Sequence, residues 1–176
     1  MPSMNKLKCD EKDKLHFVWF MILMVCVVIT YCYQKSKANE NYRKILQVAT
    51  VNCSLETTRF LVKDIIPNLS ETALHYAARE GCLDTIRFLI VEEKVNINTI
   101  DKNAFKRTAL HHAAGEGHLG IVRFLLEKGA NPNIKDNDGK GARKMAVMAS
   151  RHDKNKPYKE IIKLLARAEE QYKSEK

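Results

Sequence analysis

No serine of this chain lies in a nucleophile elbow, no pair of its five cysteines has zinc-site or dithiol spacing, and no glycine-rich loop follows a strand. Gly115-Glu116-Gly117 begins as Gly-x-Gly but follows an expected helix, so it is no dinucleotide loop. His112 and His118 are the only non-repeated histidines close in sequence, and neither has a Cys or carboxylate nearby at ligand spacing. These absences remove the common routes to catalysis. No cofactor and no metal is expected, and the chain reads as non-enzymatic. Of the cysteines, Cys26 and Cys32 lie in an apolar run and Cys9 in a short tail. Cys53 and Cys82 occupy equivalent positions of a repeat with no paired spacing, so no disulfide is expected either.

What is present is self-similarity. Thr72-Ala73-Leu74-His75-Tyr76-Ala77-Ala78 recurs as Thr108-Ala109-Leu110-His111-His112-Ala113-Ala114. The match continues from Gly81-Cys82-Leu83 and Arg87-Phe88-Leu89 to Gly117-His118-Leu119 and Arg123-Phe124-Leu125. A period between about 20 and 50 residues points to a stacked array. Thr72 and Thr108 read as helix N-caps, the alanine pairs as close helix contacts, and Gly81 and Gly117 as the points where a first helix stops. Ile86, Leu89 and Ile90, like Val122, Leu125 and Leu126, have the spacing of a buried helical stripe.

The pattern Thr-x-Leu-His-x-Ala-Ala, Gly-x-Leu, a Leu-Leu pair and Gly129-Ala130-Asn131-Pro132-Asn133 resembles the ankyrin repeat. The resemblance implies an all-α solenoid of paired antiparallel helices with protruding turns, one unit every ~33 residues. It also implies that His75 and His111 are structural. Two weaker units flank the clear pair. Asp136-Asn137-Asp138-Gly139 with Gly141 to Ala146 starts a unit whose second helix, Tyr158 to Ala168, follows an inserted polar loop from Ser150 to Pro157. Leu46 to Ala49 and Leu55 to Leu61 form a degenerate first unit. Four repeats are therefore expected, at about 43–67, 68–103, 104–136 and 137–168, with a charged tail at 169–176. Atypical end units fit the need to cap an apolar stack.

Residues 15–33, Leu15 to Tyr33, contain no formal charge, Gly or Pro. At ~1.5 Å per residue they reach about 28 Å, the thickness of a bilayer core. The stretch reads as one membrane-spanning helix after a polar tail (1–14) and before a linker (34–42), with Trp19, Tyr31 and Tyr33 near its ends. The alternative is an export signal, although a cleavable signal has a shorter apolar core and small residues at its cleavage site. A scaffold subunit packing this helix against others is weaker, because the run lacks a small-x-x-x-small face. Lys6, Lys8, Lys12 and Lys14 balance Lys35, Lys37, Arg43 and Lys44, so basic residues do not orient it. Ankyrin-like proteins work mostly in reducing compartments, which places the repeats on the cytoplasmic side. Asn52-Cys53-Ser54 and Asn68-Leu69-Ser70 match the glycosylation tripeptide, and their modification would reveal the opposite topology.

The net charge of +9 is concentrated between Lys135 and Arg167. Its plain reading is a solvated capping face, since no aromatics are placed to stack on bases and nucleic acid is not an expected partner. The resemblance points instead to protein binding along turn tips and first helices by a monomeric solenoid. The candidate contacts are Lys102, Phe105, Lys106 and Arg107 in one tip, and Asn137, Asp138 and Lys140 in the next. Tyr76, Arg79, Glu80, His112, Glu116 and Met145 join them from the helices. Phe105 is either an interface anchor or an aromatic folded onto the neighbouring turn. The whole reads as a non-catalytic adaptor held at a membrane, with an exported effector as the alternative.

Overall fold

In a computed structural model, residues 40–41, 44, 46–49, 52–65 and 69–174 are described. The apolar stretch 15–33, with its tail, lies outside them. Among the described residues no helix is long and apolar enough to cross a membrane. The chain forms two compact units, Met1–Tyr42 and Arg43–Lys176, and the second contains the repeats.

Among its described residues the second unit contains seven named helices, from Leu55 onward. Helix α1 (Leu55–Phe60) starts where the Ser54 hydroxyl accepts from the Thr57 N–H, and it widens into a π turn at Leu61–Ile65. Helical residues 46–49 precede it and bury Leu46 and Ala49. Next come α2 (Ser70–Glu80) and α3 (Leu83–Arg87, widening at Phe88–Glu92), then α4 (Ala109–Glu116) and α5 (Leu119–Glu127). The last pair is α6 (Ala142–Ala149) and α7 (Tyr158–Ser174).

First helices α2, α4 and α6 pack side by side, and α3, α5 and α7 form the layer behind them. Alanine makes the close approach possible: Ala73, Ala77, Ala78, Ala109, Ala113, Ala114, Ala142 and Ala146 are all buried at these contacts. Leu74, Ile86, Leu89, Leu110, Val122, Leu125, Ile161 and Leu165 fill the space between the layers, each worth about 1.5–3 kcal/mol of transfer free energy. Ile90 and Leu126, expected in the same stripe, are only half-buried because they stand at its edge. Gly81 and Gly117 end α2 and α4 in the left-handed region, at φ 90° and 79°. A side chain at Gly117 would also strike Lys156 and Tyr158. The described residues contain two isolated β-bridges, Ile100 with Thr108 and Lys135 with Gly141, each closing a tip.

Three expectations are corrected. Thr72 is not an N-cap: α2 begins two residues earlier, after Leu69, so Thr72 lies within its first turn. Residues 169–174, expected in a charged tail, belong to α7, which runs on to Ser174, and Glu169 pairs with Arg143 at 2.9 Å. Cys53 and Cys82 form a disulfide, with Cα atoms 5.2 Å apart. Equivalent positions in adjacent repeats are stacking neighbours, which is why the pair meets. The inserted loop 150–157 is present, and its Lys156 together with the first residue of α7 closes the end of α4. Lys156 Nζ donates to the Glu116 carbonyl at 2.7 Å, and the Tyr158 hydroxyl to the Gly115 carbonyl at 3.0 Å.

Candidate protein-binding tips

The two best-defined tips are each organised around one buried aspartate. Asp101 accepts from the Arg107 backbone N–H at 3.0 Å, from Asn103 Nδ2 at 3.2 Å and from His112 Nε2 at 2.9 Å. Asp136 accepts from the Asp138 and Lys140 N–H groups at 3.0 and 2.9 Å and from Arg107 Nε at 3.3 Å. Burial alone would raise both carboxyl pKa values. The donors around them prevail and hold both below the ordinary carboxylate value. Charge-assisted bonds of this kind fix the turn backbone before any ligand arrives.

Arg107 joins one tip to the other. Its Nε reaches Asp136, and its guanidinium lies 4.6 Å from the centroid of the Phe105 ring. From the opposite side Asn137 donates its backbone N–H to the Phe105 carbonyl at 2.9 Å and its side-chain amide to the Ala104 carbonyl. Phe105 remains 47% exposed. The ring thus lies against the arginine of its own loop and stays half-exposed.

The tips differ in length, as their sequences indicate, and in how they turn. Gly139 takes φ 71° just before Lys140 closes the second tip, and Lys106 takes φ 49° just before Arg107 closes the first. A lysine there accepts a conformation that costs a side-chain-bearing residue ~1–2 kcal/mol.

The other candidates fall in separate places. Asp138 and Lys140 pair with one another at 2.9 Å beside Asn137. Lys102 is exposed on the first tip. His112 is a root of that tip rather than a free contact: it is held by Asp101 and packs edge-on against His75, with ring centroids 5.8 Å apart. Burial lowers its pKa, and its Nε2 lies 2.9 Å from an Asp101 carboxylate oxygen. Tyr76, Arg79 and Glu80 form a cluster on α2, with Arg79 5.3 Å from the Tyr76 centroid and 3.0 Å from Glu80. Glu116 is exposed at the end of α4, where its carbonyl is taken by Lys156. Met145 is half-buried against Gly115 and contributes packing more than reach.

Sequence reasoning missed Asp101 and Asp136. The signal was available, since Asp-x-Asn at 101–103 and Asp-x-Asp at 136–138 are turn-forming patterns in matching places. It also missed His118, whose Nε2 meets the Arg79 carbonyl at 2.9 Å and fills the space beside Gly81. No cluster of metal-binding side chains occurs among the described residues.

A family model described as ankyrin repeats (3 copies) matches residues 18–136 and 93–175. No curated protein matches the chain.

Proposed function

The chain belongs to the ankyrin-repeat family and is a protein-interaction module; on that premise we propose that the joined tips around Phe105 are its partner-binding surface. The supporting observation is the bridge from Arg107 to Asp136, with Asn137 holding the Phe105 and Ala104 carbonyls. It fixes a half-exposed aromatic beneath a cation on a loop that needs little ordering when a partner arrives. Aromatic and arginine side chains set on such supports are the usual anchors of protein interfaces. Lys102, Lys106, Asp138 and Lys140 surround that anchor, while Tyr76, Arg79, Glu80, Glu116 and Met145 extend the surface along first helices. His112 positions the tip from beneath. The proposed partner is a protein, with no cofactor and no chemistry at the site.

The reading includes a membrane anchor at residues 15–33, supported by their length and lack of charge. Affinity capture with the full chain, compared with Phe105→Ala, tests the binding surface. The substitution removes the ring and leaves the Arg107–Asp136 link, so the fold should hold while retained protein falls by ~10-fold or more, as for an anchor worth at least ~1.4 kcal/mol. Unchanged capture removes this tip from the interface. Resistance to alkaline carbonate extraction tests the anchor.

A further inference from the structure

We propose that the repeat domain matures on the extracytoplasmic, oxidising side of a membrane, locked by Cys53–Cys82 and bearing an N-linked glycan on Asn52. Two independent features of one turn support this. The first is the bond itself. Cys53 lies in the short turn between helical residues 46–49 and α1, Cys82 in the turn between α2 and α3, and their Cα separation of 5.2 Å is one that a disulfide spans without moving the backbone. Cytosolic thiols are kept reduced, so a structural cross-link between repeats belongs to a secretory or cell-surface environment.

The second feature is the residue beside it. Asn52 begins the tripeptide Asn52-Cys53-Ser54 and is exposed. Its backbone is held by the closing helix, with Asn52 N–H donating to the Val48 carbonyl at 3.2 Å and Ser54 N–H to the Ala49 carbonyl at 2.9 Å. A glycan there projects from the surface without displacing a core residue. Basic residues tie across the apolar stretch, so charge does not oppose this orientation. Likeness to proteins of reducing compartments argues the other way, but a cross-link made by this chain's own residues outweighs it.

Both modifications balance with ordinary secretory reactants. The two thiols form the S–S bond and give two electrons and two protons to a protein disulfide oxidant, which becomes a dithiol. The Asn52 amide nitrogen bonds to the anomeric carbon of a lipid-pyrophosphate oligosaccharide, losing a proton and displacing the lipid pyrophosphate. The orientation uses residues 15–33 as the segment that carries the repeats across, and so rests in part on the proposed anchor.

The test is translation of the full chain with endoplasmic reticulum microsomes. Asn52→Gln should remove one glycosidase-sensitive mobility step, with Asn68 left in place to report any second site. Maleimide labelling of the denatured product should miss Cys53 and Cys82 without reductant and reach both after reduction. A Cys53→Ser, Cys82→Ser chain should lose that difference. Labelling of both thiols without reductant overturns the proposal, as does an Asn52→Gln chain with unchanged mobility. Release of an oxidised, glycosylated chain by carbonate would instead sink the anchor alone and leave the orientation standing.

Discussion

The unit from 69 to 107 and the unit from 108 to 141 share a pattern but are held by different means. In the later unit His111 is fully wired. Its Nδ1 accepts from the Thr108 hydroxyl at 2.8 Å and the Thr108 N–H at 3.3 Å, and its Nε2 donates to the Lys140 carbonyl at 3.1 Å. In the earlier unit α2 starts too soon for Thr72 to cap it, and both ring nitrogens of buried His75 are without a hydrogen bond. The Ile100 backbone lies near enough to favour a protonated ring but not in bonding geometry to either nitrogen. The same asymmetry recurs in the backbone. Lys94 and Lys106 sit at φ 52° and 49° where Gly129 and Gly139 sit at 86° and 71°. Matching letters therefore do not give matching energies, because each repeat's residues act through a neighbour that differs. The earlier unit lacks the histidine wiring of the later one, and it is the one that the disulfide ties down.

Breaking that tie should have the largest effect. Closing a loop across a separation of 29 residues removes unfolded-state entropy worth ~3.5 kcal/mol, so reduction should lower stability by about that much in urea titrations. Hydrogen exchange should accelerate in α2 and α3 before α4 to α7. Substituting the histidines sharpens the contrast. His111→Leu strands a buried hydroxyl and carbonyl and should cost about 3 kcal/mol, whereas His75→Leu, which orphans no partner, should stay within ~1 kcal/mol of wild type. Equal losses would erase the distinction.

Acid should separate the units next. Burial, then the charge of His112, lowers the His75 pKa to about 4 from 6.5, so the folded state disfavours the protonated ring. The stability due to its neutral form is complete above 6.5 and is lost as pH falls toward 4. At pH 5 that loss is about 2 kcal/mol from His75 alone, and thermal melts of His75→Leu should be flatter over this window. Smallest, Lys94→Gly and Lys106→Gly should each stabilise by about 0.5–1 kcal/mol by relieving left-handed backbone. Gly129→Ala should do the reverse.

Repeat identity, helix ends at Gly81 and Gly117 and the inserted loop were all legible in the sequence, because each depends on residues adjacent along the chain. The contacts that organise the site were not. The bond from Arg107 to Asp136 and that from His112 to Asp101 cross from one helix or tip to the next, and only stacking sets their partners. Cys53 and Cys82 have no telling spacing along the chain, and it is register in the stack that pairs them. Thr72 failed as a cap because Ser70 and Glu71 prolong the helix backward, a local competition that a repeat alignment hides.

Because one arginine belongs to the first tip by sequence and to the second by its ion pair, the proposed binding surface does not divide at repeat boundaries. Moving a single unit into another solenoid would take Phe105 away from the asparagine that steadies it, or the asparagine away from its ring. The smallest transplantable element of this surface is a consecutive pair, and variation in either member would have to be tolerated by the other.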